Sequence, residues 1–425
     1  MTLRTSHCTV QEWLARNEFE NALKAAGPIL ERHPDDLLAW YQLTRALCGL
    51  TTAENEQKNL DAVIRAFVAS GTPLLALLAL LECPIDTVQT NTHLKTLLKQ
   101  CEIPSTVPTS PIPPWGQNQP NIPPWSDDLD LDTAIQMAQS LSAISWGNSL
   151  SVASQPPPER PLPWFDSLME SSVRSFFEQL KPITFLDGEK IVARHSSCTT
   201  LLLLLNGRCE EQPMPPANDQ PRHASLPPRR ILPGEIIGEA ESVLETPFQH
   251  DVVATECCSF ASIELANIAD RCRTDSRFLD RHTLRAQKTM LTRLMHNALF
   301  LQPLSFSERA TVLKQWRPAF FSRGSKIIAP SSDPVVCMLV AGAASVNTSQ
   351  TQESEHSIQQ TGELFGWLAP EETDFPVHMH AIENTLVIKL SQNEFRAILQ
   401  SYSQLDTVLM DAVANQKKKL NRATE

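Results

Sequence analysis

The chain has 425 residues, which is enough for roughly two to four domains. Its formal net charge is −12 and its pI is near 5.4, which argues against nucleic acid or an anionic membrane surface as a partner. Ten cysteines are scattered without CxxC pairs, so we expect reduced thiols and neither a structural disulfide nor a zinc site.

We expect no targeting signal in the N-terminal residues. The first twenty residues lack the apolar core of a signal peptide. The longest apolar stretch, residues 73–85, is too short to cross a bilayer. We therefore expect a cytoplasmic protein that does not insert into membranes.

Residues 8–102 have the apolar spacing of helices. One buried stripe is expected at Phe19, Ala22, Leu23 and Ala26. The pattern breaks at His33-Pro34, where Asp35 can cap a second helix that resumes with Leu37, Leu38 and Trp40. This hairpin resembles a tetratricopeptide repeat, and residues 59–82 resemble a degraded second unit. A plain helical bundle without a peptide groove is the alternative.

Residues 103–163 form a proline-rich linker that contains the tetrapeptide IPPW twice, at 112–115 and 122–125. Such segments favour polyproline II, with Trp115 and Trp125 as apolar anchors. The two tryptophans either dock into a partner or hold the linker against its own domains. A helix is predicted from about Thr133 to Ser145.

The rest of the chain is an internal repeat. Residues 171–191 align with 307–327, and residues 233–243 align with 361–371. Each copy contains a helix followed by short apolar strands that glycine turns separate, which predicts an antiparallel barrel flanked by helices. The expected fold class is α+β, with N-terminal helical hairpins and two antiparallel β-rolls.

Both copies resemble the cyclic-nucleotide-binding domain of catabolite activators and protein kinase A regulatory subunits. The resemblance covers about residues 164–400 and rests on glycines in matching order: Gly188, Gly207, Gly234 and Gly238 in the first copy, and Gly324, Gly342, Gly362 and Gly366 in the second. We expect a helical domain at 8–102, the linker at 103–163, and cyclic-nucleotide-binding-like domains at 164–295 and 296–425.

The resemblance implies where a ligand would bind. In this family a Gly-Glu pair opens the phosphate-binding cassette, in which the Glu accepts a hydrogen bond from the ribose and a later Arg pairs with the cyclic phosphate. The first copy has Gly238 and Glu239 at the pair, Phe248 at the Arg position, and then Gln249 and His250. The second copy has Gly366, with Trp367 at the Glu position, and Phe375 and Pro376 where the Arg belongs.

No Lys or Arg occurs between Glu235 and Asp270. Losing the bidentate Arg contact should cost roughly 2 to 5 kcal/mol of affinity for a buried phosphate. We therefore expect that neither pocket binds cyclic mononucleotides any longer. The expected function is that of a non-catalytic regulatory or scaffold protein with protein partners and no cofactor. The alternative is a sensor that binds a cyclic nucleotide or a related small ligand in the first domain, with protonated His250 as its positive charge, and signals through the inter-domain helix.

Four arginines recur every four residues, at Arg273, Arg277, Arg281 and Arg285. On one helix they would form a basic stripe, either a docking surface for an acidic partner or a solvated face. His378 and His380 point the same way on a predicted strand, but no third metal ligand is evident, so we interpret them as ordinary strand residues. No nucleophile elbow or Walker loop is present, so an enzyme is not expected.

Overall fold

The computed structural model describes most of the chain outside the linker. The described residues are 3–33, 36–50, 72–83, 92–97, 130–143, 162–212, 227–328, 334–348, 356–358, 361–368 and 377–422, together with 60, 63, 64, 67, 90 and 125. The predictions that concern Asp35, Trp115, Phe375 and Pro376 fall outside these residues.

The N-terminal helices are α1 (Leu3–Ala15), α2 (Phe19–Arg32), α3 (Leu37–Leu50), α4 (Pro73–Glu82) and α5 (Leu131–Ala143). The predicted stripe is buried in α2, where Ala22, Leu23 and Ala26 are fully inaccessible. Asp36 begins α3, since its Oδ1 accepts a hydrogen bond from the Ala39 N–H at 3.0 Å. The helical hairpin is therefore present, and its kinship to tetratricopeptide repeats stays a prediction.

The linker helix α5 begins and ends two residues before the expected bounds. Asp130 explains its start, because its Oδ1 accepts from the Thr133 N–H at 2.9 Å and so caps the first turn. Ala134 and Ala138 on α5 are buried in the same cluster as the α2 and α3 core. The small side chains of Ala134 and Ala138 allow α5 to pack closely against α2 and α3.

The first β-roll begins with helix α6 (Glu170–Phe177) and consists of two antiparallel sheets with strand orders β1-β8-β3-β6 and β2-β7-β4-β5. Its strands are β1 (Lys181–Phe185), β2 (Lys190–Val192), β3 (Thr200–Asn206), β4 (Cys209–Glu211), β5 (Arg229–Ile231), β6 (Ile236–Ile237), β7 (Val252–Ala254) and β8 (Cys258–Glu264). Side chains from both sheets share one interior cluster. The roll is thus a filled barrel rather than an open one.

The second β-roll repeats this topology. Its strands are β9 (Arg317–Phe321), β10 (Lys326–Ile328), β11 (Val335–Ala341), β12 (Ala344–Thr348), β13 (His356–Ile358), β14 (Leu364–Gly366), β15 (Val377–Ala381) and β16 (Thr385–Ser391). The sheet orders β14-β11-β16-β9 and β10-β15-β12-β13 match those of the first roll, counterpart by counterpart. Helices together with antiparallel sheets confirm the α+β class.

The remaining helices are α7 (Glu239–Leu244), α8 (Leu265–Thr274), α9 (Ser276–Asn297), α10 (Phe306–Leu313), α11 (Gln392–Ser401) and α12 (Asp406–Arg422). Helix α9 runs through the expected domain boundary at 295 and 296, and its buried residues Ala286 and Met290 share a core cluster with the second roll. The domain bounds stay predictions. Among the described helices, none is both long and apolar enough to span a bilayer.

The leucine run of β3 explains how the N-terminal helices attach to the first roll. Successive strand residues face opposite sides of a sheet. Leu202 and Leu204 lie inside the roll, whereas Leu201, Leu203 and Leu205 belong to the core of the N-terminal helices. Strand β3 is therefore buried on both faces, which accounts for its uninterrupted apolar run.

The expectation of a single helix carrying the four arginines is wrong. Asp275 has extended backbone dihedrals, and its side chain accepts from the Phe278 N–H at 3.1 Å as the N-cap of α9. This cap ends α8 at Thr274 and starts a new helix. Arg273 therefore lies on α8, and the other three arginines lie on α9.

Candidate functional site

The cassette of the first roll begins at Gly238, whose φ of +99° is in the left-handed region. A Cβ at this position would lie 2.8 Å from Leu201 Cδ2, so only glycine fits without rearrangement. The turn leads directly into the short helix α7. This helix carries Glu239 and Glu241, both buried, with 3% and 2% of their surface exposed.

Glu239 is held by residues of α9 rather than left free for a ligand. Arg285 Nε donates to Glu239 Oε1 at 2.8 Å, and His282 Nδ1 lies 3.5 Å from the same oxygen. Arg285 Nη1 also donates to the Pro163 carbonyl at 2.7 Å and lies 3.3 Å from Asp166 Oδ1. The carboxylate predicted to accept a ribose hydroxyl is therefore ion-paired within the chain.

A second buried ion cluster contacts α7 through Glu241 and consists of Arg229, Arg293, Glu211, Glu235 and Glu241. Arg293 of α9 donates from Nε to Glu211 Oε1 at 2.8 Å and from Nη1 to Glu241 Oε1 at 2.7 Å. Arg229 Nε donates to Glu211 Oε2 at 2.6 Å, and Arg229 Nη1 donates to Glu235 at 2.8 Å. Burial alone would raise the pKa of Glu211, but Arg293 and Arg229 hold that pKa well below its ordinary value. The cassette thus does receive cations, and carboxylates of this chain neutralise them.

Phe248, at the family's Arg position, points into the roll. It belongs to the interior cluster with Ile191, Leu204, Val252 and Phe260 and is 5% exposed. Its backbone is fixed by two hydrogen bonds, from the His195 N–H to the Phe248 carbonyl at 2.7 Å and from the Phe248 N–H to the Ser196 carbonyl at 3.0 Å. An aromatic ring replaces the fork of donors that a phosphate requires.

His250 lies beside the second ion cluster. Burial lowers its pKa to about 4, and although Glu211 raises the pKa, Arg293 and Arg229 lower it further. The Asn297 side-chain amide lies 3.3 Å from His250 Nε2. At neutral pH the imidazole is uncharged, so it does not supply the positive charge that the sensor alternative needs.

Gln249 faces the second roll. Its Nε2 donates to the Gly342 carbonyl at 3.2 Å and to Glu383 Oε1 at 3.1 Å. Asn384 Nδ2 donates in the opposite direction, to the Leu244 carbonyl at 3.0 Å. The end of the cassette is therefore part of the contact between the two rolls.

The second cassette position is filled by an aromatic ring. Gly366 has a φ of +100°, as Gly238 does. Trp367 is 1% exposed and shares the interior of the second roll with Leu339, Phe365 and Met379. Gly366 ends β14, and Trp367 follows it directly in the chain.

Trp125 packs on the helical region. It is 7% exposed, and its backbone N–H donates to Glu31 Oε2 at 3.0 Å. A Cβ added to Gly27 in α2 would lie 2.1 Å from the Trp125 ring, so the indole lies directly on the backbone of α2. This placement agrees with the interpretation that the tryptophan holds the linker.

The four arginines divide by environment. Arg273, Arg277 and Arg281 are exposed, and Arg273 pairs with Asp270 on its own helix. Arg277 donates to the Asp166 carbonyl at 3.3 Å. Only Arg285 turns inward to the cassette. A docking role for the exposed three stays a prediction.

His378 and His380 both lie on β15, where His378 pairs in register with Asn347 and His380 with Ser345. The side chain of His378 lies outside the described residues. Within the described part of the chain, no group of three or more His, Cys, Asp or Glu residues could hold a metal ion. None of the nine described cysteines is part of a disulfide.

The sequence patterns did not indicate Arg229, Arg293 or Glu211 as parts of the site. One signal was available: Glu239 and Glu241 occur in an apolar stretch, and buried carboxylates require cationic or donor partners. Because the neighbouring sequence holds no Lys or Arg, those partners had to come from distant elements. The pattern does not say which ones.

No protein-family model and no curated protein sequence matches the chain significantly. Among solved structures, the regulatory subunit of a cAMP-independent protein kinase A from Trypanosoma brucei has 16% identity, covers 61% of this chain and 87% of its own, and gives a TM-score of 0.28. The regulatory domain of Toxoplasma gondii PKA with cAMP has 17% identity, covers 59% of this chain and 92% of its own, and gives 0.26. The catabolite activator protein of Thermus thermophilus has 16% identity, covers 29% and 59%, and gives 0.26. These TM-scores are low, so no ligand or partner follows from the matches.

Proposed function

We propose that this chain is a non-catalytic regulatory or scaffold protein whose two β-rolls are cyclic-nucleotide-binding-like domains that no longer bind cyclic mononucleotides and act through protein contacts. One observation carries the proposal. The buried Glu239 carboxylate, which a nucleotide would need as an acceptor, is paired with Arg285 at 2.8 Å.

A ribose hydroxyl that binds at Glu239 Oε1 would have to displace Arg285 Nε. Removing one partner from a buried ion pair typically costs about 3 to 5 kcal/mol, because the remaining charge is left in a poorly solvated environment. The ribose hydroxyl is a neutral donor and replaces only part of that interaction. The pair therefore competes with any ligand for Glu239.

The phosphate position is equally unfavourable. Phe248 offers no hydrogen bond to an anion, and Arg229 and Arg293 are already neutralised by Glu211 and Glu241. In the second roll, Trp367 fills the interior position where the family has its Glu. Both pockets are thus better explained as packed cores than as nucleotide sites.

The exposed face of α9 is suited to contacts with another protein. Helix α9 exposes Arg277, Arg281 and Lys288 together with Leu284 and Leu291, which are 56% and 47% exposed. Basic and apolar side chains on one exposed helix suit a protein partner with acidic and apolar groups. A regulatory or scaffold role uses this surface without any catalytic group.

Thermal stability with and without cyclic nucleotides tests the proposal. A ligand present at 100 times its Kd stabilises the folded state by about 2.7 kcal/mol, which is readily measured. We expect cAMP, cGMP and cyclic dinucleotides to leave the Tm unchanged. A rise in Tm that the Glu239→Ala variant abolishes would show a working cassette and overturn the proposal.

A further inference from the structure

A small cleft lies between the two β-rolls. Its volume is about 100 Å³, which exceeds the ~10–15 Å³ needed by one water and falls below the ~300–1,000 Å³ of sites for drug-sized ligands. Ala343 and Ile382 form apolar walls, Arg194, Gln249 and Glu383 are polar lining residues, and Phe248 borders the cleft although its ring belongs to the interior of the first roll. The cleft lies beside the end of the cassette, since Phe248 and Gln249 are among its lining residues.

Arg194 differs from the other arginines near the cassette. Arg229, Arg285 and Arg293 each pair with at least one carboxylate. Among the residues that the structure describes, the Arg194 guanidinium has no carboxylate within 4.0 Å, and its Nε is buried without a hydrogen-bond partner. A buried donor without a partner is costly, so a ligand group that accepts from it is favoured.

The turn that carries Arg194 is held rigidly. The Arg194 N–H donates to Asp251 Oδ1 at 2.8 Å, and the next residue, His195, has a φ of +64°. The His195 N–H donates to the Phe248 carbonyl at 2.7 Å, which anchors the turn to the cassette. Non-glycine residues in the left-handed region cost about 1 to 3 kcal/mol and recur where a ligand is clamped. The side chain is thus presented to the cleft by a fixed backbone.

We propose that this cleft binds a small organic acid, with its carboxylate accepting from Arg194 and its short apolar body against Ala343 and Ile382. The planar guanidinium matches a carboxylate in a bidentate arrangement. The cleft volume limits the ligand to a few heavy atoms.

The surrounding charges favour a monoanion over a phosphate dianion. Glu383 lines the cleft, and Asp251 lies next to the turn, where Lys190 pairs with it at 3.2 Å. His250 is uncharged at neutral pH, and burial raises the pKa of Glu383, although Gln249 and Arg323 lower it. Two nearby carboxylates repel a second negative charge.

Occupation of the cleft would connect the two rolls. The lining residues come from the first roll at Arg194 and Gln249 and from the second roll at Ala343, Ile382 and Glu383. Gln249 already bridges the rolls through its hydrogen bonds to Gly342 and Glu383. A bound acid adds contacts to both sides and thereby stabilises their present orientation.

Methyl NMR of the full chain with labelled Ile and Ala tests the site. Acetate, propionate, lactate and inorganic phosphate would be titrated separately at constant ionic strength and pH. We expect saturable shifts of the Ile382 and Ala343 methyl signals with the carboxylates, and weaker binding of phosphate. The Arg194→Gln variant should bind at least tenfold more weakly, and Arg194→Lys, which keeps the charge but loses the fork, should fall between the two.

The matched control is Arg230→Gln, since Arg230 is exposed on β5 and pairs only loosely with Glu210 at 3.6 Å. It should bind like the unmodified chain, and an unchanged Tm of Arg194→Gln shows that the variant is folded. Absence of saturable shifts, unchanged affinity in folded Arg194→Gln, or tighter binding of phosphate than of every acid would each overturn the inference. The site does not depend on the proposed loss of cyclic nucleotides, because that loss is tested at Glu239 and with different ligands.

Discussion

Arg285 Nε lies 2.8 Å from Glu239 Oε1, and the two residues are 46 positions apart in the chain. Glu239 begins the short helix of the cassette, and Arg285 lies near the middle of α9. The pair therefore joins the cassette to the helix that leads to the second roll. It also engages the carboxylate to which the family resemblance assigns the nucleotide sugar.

A double-mutant cycle measures this pair. We expect Arg285→Met to lower the free energy of unfolding by about 3 kcal/mol, because Glu239 would remain charged and buried. The double variant Glu239→Met with Arg285→Met should lose much less, since neither charge remains. Urea denaturation of the two single variants and the double variant gives the coupling energy. Additive losses would contradict the pairing, and Arg281→Met on the exposed side of α9 is the control, with an expected change within about 0.5 kcal/mol.

The exposed arginines of α9 should affect association rather than folding. We expect Arg277→Glu with Arg281→Glu to leave the Tm nearly unchanged, since exposed arginines contribute little to stability. Recovery of co-purifying proteins should fall, and raised salt should have the same effect on the unmodified chain because it screens the same attraction. The measurement is affinity purification at low and high salt. A variant that unfolds would show that the arginines are needed for folding, and one that keeps every partner would show a solvated face.

We expect Gly27→Ala to lower the stability of the folded chain, which is the opposite of the usual effect of this substitution in a helix. Gly to Ala within a helix normally stabilises by about 1 kcal/mol. Here the new Cβ would lie 2.1 Å from the Trp125 ring, so the indole must leave its position and we expect a loss of about 1 to 3 kcal/mol. Tryptophan emission should shift to the red as Trp125 becomes exposed.

The background variant Trp125→Ala separates the two effects at Gly27. Without the indole, Gly27→Ala should become neutral or stabilising, because only the helix propensity remains. If Gly27→Ala stabilises the unmodified chain, the contact between Trp125 and α2 is refuted. Thermal denaturation of the four chains provides the comparison.

His250 should make stability depend on pH. Its folded pKa of about 4 lies below the unfolded value of 6.5, mainly because burial disfavours the charged form. The unfolded chain therefore binds more protons between these values, so stability rises with pH from about 4 to 6.5 and is lost as pH falls through that window. The contribution is on the order of 3 kcal/mol.

The variant His250→Gln isolates this contribution because it cannot titrate. The difference in unfolding free energy between the unmodified chain and the variant should increase from pH 4 to 6.5 and stay constant above that. Urea denaturation across the range measures it. A difference that is independent of pH would mean that His250 is not buried in its neutral form.

Much of the architecture was predictable from local patterns. The helical stripe at Ala22, Leu23 and Ala26 and the linker helix were found within about two residues, because helical periodicity and capping act over a few residues. The duplicated roll was predictable because glycines at Gly188 and Gly324 occupy equivalent turns, and both have a φ of +81°. Only glycine adopts such turns without strain, so these positions are visible in the sequence.

The break between α8 and α9 was not predicted. An arginine every four residues fits one continuous helix, yet Asp275 caps a new one. The number of residues between Arg273 and Arg277 is the same whether or not the helix breaks between them. The spacing in the sequence therefore does not reveal the break. Capping competes locally with helix continuation, and tertiary packing decides which wins.

The sequence by itself determined the repeat, the α+β class and the absence of Lys and Arg between Glu235 and Asp270. Only the tertiary structure decided where the cations of the cassette come from. Arg293 reaches Glu211 across 82 positions and Glu241 across 52. Turn glycines and apolar periodicity are properties of neighbouring residues, whereas an ion pair requires only that two side chains meet in space. Buried carboxylates demand such partners, and the folded chain alone places Arg285 and Arg293 against them.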